Sequence, residues 1–322
     1  MIINRRRLLR AASTLAAPAI LPRWAFANAW PSRIITFVVP YGPGGTTDAS
    51  ARQFADFLSH RIGQSVIVEN RPGVQGNLGA ESVARAAPDG YTMLLSTAAI
   101  SNNAFLGPKP KFVADQAFQH VAKLALASNI VLVRQELGVR TMREAVRLSN
   151  EKAGTLTIGA GQIDTYVKLL NWRAGADFRL IPYRTSPQAL SDAIAGHVDF
   201  AMALVPTALS LVGEKLIPLG VSSKERSVIL PEVPTYRESG IPDADVESWF
   251  GLSLPKGTPS AIVQRLADEA RAFVTDGEMK KRLHGLGIEP APQGTSDEFD
   301  RFIATEAKRW EGIAKELGLS TG

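Results

Sequence analysis

The sequence contains no cysteine. That absence excludes disulfides, thiol nucleophiles and cysteine-ligated metals, and it leaves stability to the size of the apolar core. Histidine is scarce as well: His60, His120, His197 and His284 lie in unrelated segments, without a His-Glu-x-x-His pattern. No Gly-x-Ser-x-Gly elbow occurs. The first glycine loop lacks the Lys-Ser/Thr ending of a phosphate loop, and Gly73, Gly76 and Gly79 miss the dinucleotide spacing by one residue. Neither a metal, nor a cofactor, nor an enzymatic activity is therefore expected. Beyond the N-terminal segment no uninterrupted apolar run reaches the ~18 residues that span a bilayer.

Charge of one sign is also missing from most of the chain. The formal net charge is +5, but residues 1–27 hold Arg5, Arg6, Arg7, Arg10 and Arg23 and no acid. The rest is formally neutral, so a nucleic-acid partner has no electrostatic basis. The basic stretch is followed by the weakly apolar Ala11 to Leu21 and by Ala25-Phe26-Ala27, the three parts of an export signal. Arg5-Arg6 ahead of Leu8-Leu9 is twin-arginine-like, with cleavage expected near Ala27 or Ala29. A periplasmic location follows as the expectation.

What is present is ordinary for a globular chain, with 45% apolar and 21% charged residues in 322, enough for about two domains. The informative stretch runs from Ile34 to Arg52. An apolar run, Ile34 to Val39, ends at Pro40. Gly42, Pro43, Gly44 and Gly45 then form a tight loop, and Thr46, Thr47 or Asp48 can cap a helix from Ala49 to Ile62. A strand, a glycine loop and a helix N-terminus leave free N–H groups facing an anion.

The pattern recurs along the chain. Strands are expected at Ser65–Asn70 and Tyr91–Leu95, with a helix from Leu78 to Ala86 between them. Phe118–Leu126 and Ile130–Val133 read as extended crossings into a second region. There, strands at Leu156–Gly159, Leu180–Tyr183, Val198–Leu204 and Leu216–Val221 alternate with helices at Thr141–Ala153, Asp164–Gly175 and Ser186–Ala195. Thr207 is the expected cap of a short helix. Val246 to Leu254 leads back, and three helices, to about Thr275, Leu286 and Leu317, close the chain. Alternating strands and helices with small-residue loops at strand C-termini argue for parallel α/β sheets with a ligand crevice on that side. Two crossings imply a hinge, and a cleft between two lobes is where small ligands bind.

Several stretches together carry a resemblance to a known family: Val39 to Gly45 with Asp48, Val68 to Gly73 with Gly76 to Ala80, Ala87 to Tyr91, Leu230 to Thr235, and Trp249 to Leu252 with Pro255 to Pro259. In this order they resemble the exported solute-binding receptors of tripartite tricarboxylate transporters, the Bug receptors. The resemblance implies a two-lobed type II periplasmic-binding-protein fold with a hinge and an interlobe ligand cleft. Lobe 1 would comprise residues 30–128 plus 248–322, and lobe 2 residues 129–247. It implies a monomer that takes a small carboxylate and hands it to membrane permease subunits. A receptor feeding a sensor kinase is the first alternative, and an exported enzyme the second. Carried onto this sequence, the binding residues are Tyr41, Gly44, Gly45, Asp48, Ser96 and Thr97 in the first lobe, and Gly159, Gly161, Gln162 and Tyr183 in the second. Asp48 reads equally as a helix cap, and Tyr41 and Tyr183 equally as core aromatics. Asp164 fits a cap better than a ligand contact. Gly159-Ala160-Gly161-Gln162 and Arg184-Thr185-Ser186 depart from the family pattern, which points to the second lobe as the seat of specificity.

Overall fold

The computed structural model describes residues 30–107, 109–161, 163–213 and 215–318. The expected export signal, residues 1–27, and Gln162 lie outside the described residues. Two compact units are present, Met1–Ser32 and Arg33–Gly322. Of the first, only residues 30–32 are described, with a cis peptide bond between Trp30 and Pro31. Among the described residues no helix is long and apolar enough to cross a membrane.

The second unit opens with β1 (Ile35–Val39), α1 (Thr46–Ile62), β2 (Val66–Asn70), α2 (Asn77–Ala84), β3 (Thr92–Thr97), α3 (Ala99–Leu106) and α4 (Ala114–Ala117). A 17-residue strand, β4 (Phe118–Arg134), leads on. After it come α5 (Met142–Glu151), β5 (Thr157–Gly161), α6 (Asp164–Ala174), β6 (Arg179–Tyr183), α7 (Ser186–Ala195), β7 (Phe200–Leu204), α8 (Val205–Ala208) and β8 (Leu216–Val221). The chain returns through β9 (Glu247–Pro255) and ends with α9 (Ser260–Thr275), α10 (Gly277–Gly285), β10 (Glu289–Pro290) and α11 (Ser296–Glu316).

One mixed sheet holds both halves, in the order β2-β1-β3-β9-β4-β7-β5-β6, with β8 and β10 also paired to β4. β1 runs parallel to β2 and β3, and β5 runs parallel to β6 and β7. Between these parallel sets, β4 is the joint. Phe118 to Ser128 pair antiparallel with β9, whereas Asn129 to Val133 pair with β7 and Ile130 to Arg134 with β8. The two extended runs expected around residues 118–133 are therefore a single strand, whose register shifts at His120/Ala122, Lys123/Ala125 and Val131/Leu132 let it bend.

Each half has its own core. Val38, Leu94, Trp249, Phe299 and Ile303 are buried together on one side, and Val131, Ile158, Phe178, Phe200 and Met202 on the other. β1 is apolar at nearly every position because helices cover both its faces. Thr141 and Thr295 cap α5 and α11 through reciprocal bonds with Glu144 and Glu298. Two expected caps are corrected. α1 starts at Thr46, after Gly45, with no side-chain cap. Thr207 lies inside α8, whose first turn instead carries Pro206.

Candidate functional site

In each half the helices that follow the parallel strands begin at the strands' C-terminal ends. α1, α2 and α3 follow β1, β2 and β3; α6, α7 and α8 follow β5, β6 and β7. Unsatisfied first-turn N–H groups thus collect along these edges.

The loop from β1 to α1 is the most open of them. Gly42, Gly44 and Gly45 are exposed, and a Cβ on any of them would meet no atom within 4 Å. Gly44 has φ +84°, a conformation that favours glycine. Asp48 fastens the loop from behind. Its carboxylate accepts the Gly44 amide at 3.0 Å, Arg52 Nε at 2.9 Å and Nη2 at 3.0 Å, and Asn70 Nδ2 at 3.0 Å. The same Asn70 amide donates to the Tyr41 carbonyl at 3.0 Å. Burial would raise the Asp48 carboxyl, but hydrogen bonds from Arg52, Gly44 and Asn70 outweigh it and hold the pKa below the usual aspartate value. Asp48 is buried, so its bonds are spent on the loop itself. The amides of Gly45, Thr46 and Thr47 have no acceptor among the described hydrogen bonds, as expected at the start of a helix.

Thr97 and Tyr41 come together, and Ser96 does not join them. The Tyr41 hydroxyl donates to the Gln75 carbonyl at 3.3 Å and lies 3.5 Å from Thr97 Oγ1. Burial raises its pKa. Ser96, on the other face of β3, accepts from the Ser253 hydroxyl at 2.9 Å, and Ser253 lies 2.8 Å from His120 Nδ1. His120 is kept neutral: burial, assisted by Lys256, lowers its pKa to about 4. Beside Tyr41 runs a loop with four successive positive φ angles, Gly73 +140°, Val74 +50°, Gln75 +52° and Gly76 +92°. Left-handed backbone at Val74 and Gln75 is strained, and buried Asn103 holds it by donating to the Gln75 carbonyl at 3.0 Å and to Asn77 Oδ1 at 2.8 Å.

In the second half the glycines answer first to packing. A Cβ on Gly161 would collide with the Ser186 nitrogen and the Thr185 carbonyl carbon, so β5 ends in glycine because the β6–α7 connection crosses it. A Cβ on Gly159 would stand 3.0 Å from the Tyr183 ring. The Tyr183 hydroxyl donates to Asp192 Oδ2 at 2.6 Å, and burial together with that anionic partner pushes its pKa up to about 12. Asp164 is the first residue of α6 rather than its cap, which is Ile163; burial raises its pKa, against the pull of Lys168.

The two halves meet through a residue that sequence reasoning passed over. Tyr166, in the first turn of α6, hydrogen-bonds Ser248 of β9; burial pushes its pKa up to about 12, against the pull of that bond. Its ring packs 5.6 Å from that of Trp310 on α11, within a cluster that includes Leu169, Val246 and, from α3, Phe105 and Leu106. Asn70 and Asn103 also went unassigned as site residues, although Asn70 lies in a quoted motif at a strand end, where buried amides are common. Among the described residues no cluster of His, Asp and Glu is placed to hold a metal. Amide and hydroxyl donors gathered at a helix N-terminus suit anion binding.

Comparisons with known proteins bear on the family and the fold. The profile described as "Tripartite tricarboxylate transporter family receptor" matches residues 50–319. A Pseudomonas sp. (strain P51) protein, "UPF0065 protein in tcbD-tcbE intergenic region", is 33% identical over 99% of this chain and 96% of its own. Among solved structures, R. palustris Rpa4515 with adipate superposes at a TM-score of 0.82, with 30% identity, over 90% of this chain and 98% of that one. MatC (Rpa3494) from Rhodopseudomonas palustris with bound malate gives 0.77 and 29%, over 88% and 99%. The fold is the two-lobed α/β fold of periplasmic binding proteins, and the chain belongs to the tripartite tricarboxylate transporter family of solute-binding receptors.

Proposed function

We propose that this chain captures a small organic carboxylate outside the cytoplasm, between the two halves of its sheet, and delivers it to the permease subunits of a tripartite tricarboxylate transporter. The observation that carries the reading is the open glycine loop at the N-terminus of α1, which has no side-chain cap. One carboxylate is gripped there by the Gly45, Thr46 and Thr47 amides, with the Tyr41 and Thr97 hydroxyls beside them. Each such charge-assisted bond contributes about 1.5–3 kcal/mol. Gly159 and Gly161 supply the facing edge. Asp48, Ser96 and Tyr183, whose side-chain bonds are made within the protein, hold the site in shape. The adipate of Rpa4515 and the malate of MatC support the carboxylate class.

Lobe 1 is residues 30–128 plus 248–322 and lobe 2 residues 129–247, with β4 and β9 as the hinge. A ligand touching both edges shifts the equilibrium toward the closed form, which is the form that docks. Residues 1–27 act as the export signal. An uptake assay tests delivery. Cells lacking the chain lose uptake of the labelled acid, the parent gene restores it, and Thr97→Ala restores about a tenth of it at limiting acid, the loss expected for about one hydrogen bond. Undiminished uptake in the deletion strain sinks the delivery reading.

A further inference from the structure

Away from the strand ends, a groove of about 570 Å³ lies between the C-terminal part of α6, the stretch from Arg237 to Asp245, Lys224 and one face of α11. Five cationic side chains line it: Arg173, Lys224, Arg237, Lys308 and Arg309. We propose that it is a second anion site, for a compact polyvalent oxyanion, separate from the strand-end site.

The ion pairs do not use up the positive charge. Asp245 is held by Arg237 at 3.2 Å and Glu316 by Arg173 at 3.5 Å. Arg309 Nη2 donates to the Asp245 carbonyl at 2.6 Å and its other arm lies 3.6 Å from Glu306. Lys224 and Lys308 are exposed and make no hydrogen bond or ion pair among the described residues. Only Asp243, an exposed residue, adds a lining acid outside these pairs. The Arg173 Nε is buried and has no hydrogen-bond acceptor among the described residues.

Gly312 is the second observation. It sits inside α11, lines the groove, and has neither a positive φ nor any atom within 4 Å of where a Cβ would stand. Glycine weakens a helix interior, and here neither packing nor backbone conformation requires it. Its effect is to leave the groove wall open. Arg173 alone has a simpler explanation, since a cation in the last turn of α6 suits the helix dipole. That explanation covers neither the two unpaired lysines nor the glycine.

Arg173 lies nine residues from Asp164, about 14 Å along α6, so an anion here does not touch the strand-end loops. It does touch both halves. α6, Lys224 and Arg237 belong to the second, while α11 is fixed to the first through Phe299 and Ile303 and by the Ser296 hydroxyl bonded to the Val121 carbonyl. Occupancy therefore stabilises the present arrangement of the halves.

Calorimetric titration of the full chain with pyrophosphate and, separately, with tricarballylate at fixed ionic strength tests the site. The variants are the exposed Lys224→Ala/Lys308→Ala pair and Gly312→Leu, with unchanged circular dichroism as the check on folding. One-to-one binding of at least one anion, weakened about tenfold in both variants, is expected; which anion binds assigns the phosphate or the carboxylate class. The proposal is overturned if neither anion saturates the parent. Binding as tight in the variants as in the parent overturns it too, because it places the anion elsewhere, for tricarballylate at the strand-end site.

Discussion

Asp48 and His120 show how much a single buried side chain decides here. Asp48 gathers four hydrogen bonds from three residues and keeps the glycine loop in place. Replacing it with alanine is expected to cost about 2 kcal/mol in a urea melt at neutral pH, discounted because Arg52 is half exposed. The folded-state pKa is lowered, so this stability is present above the ordinary aspartate pKa of about 4 and is lost as pH falls through the lowered value. The difference between parent and Asp48→Ala should accordingly shrink in acid; a gap that stays constant down to the acid limb would refute the ion pair's role. His120 titrates in a different window. With an unfolded pKa near 6.5 and a folded pKa of about 4, the unfolded chain binds the proton first, and stability falls by about 3 kcal/mol between those pH values. His120→Asn, which retains a partner for Ser253, should flatten that slope. The sequence displayed Asp48 plainly, since an acid in a first helical turn after glycines is a local pattern. It did not display Asn70, Asn103 or Tyr166 as partners, because their bonds join residues distant in the chain.

At the level of elements, local signals were read well and long-range pairing was not. The helix at Ser186–Ala195 and the strand at Leu216–Val221 stand where periodicity and turn residues placed them. β4 read as two pieces because Ala127-Ser128-Asn129 looks like a break, whereas pairing with β9, β7 and β8 carries the strand through. α3 has no counterpart among the expected elements; its helix packs against α11, which no local propensity reveals. The glycines separate by cause. Gly161→Ala is expected to destabilise by about 3 kcal/mol, because the β6–α7 backbone must move. Gly45→Ala, at φ −87° with open space around it, should change the melting curve by no more than ~0.5 kcal/mol while weakening ligand about tenfold. Equal stability losses in the two variants would contradict this division.

For the whole molecule, the sheet passes from one half to the other through β4, and a buried cluster of Leu169, Val246, Trp310 and Ile313 joins the halves beside it. The contact of Tyr166 with Ser248 and Trp310 sets α6 against the first half. A receptor of this kind should gain stability from its ligand by about 2.7 kcal/mol at a hundredfold excess over Kd, because only the folded form binds. Titration calorimetry of the full chain against mono-, di- and tricarboxylates and aromatic acids is the most direct measurement. One-to-one binding of at least one acid, with a matching rise in melting temperature, is the expected result; no heat from any of them and an unmoved melt would contradict the assignment as a carboxylate receptor.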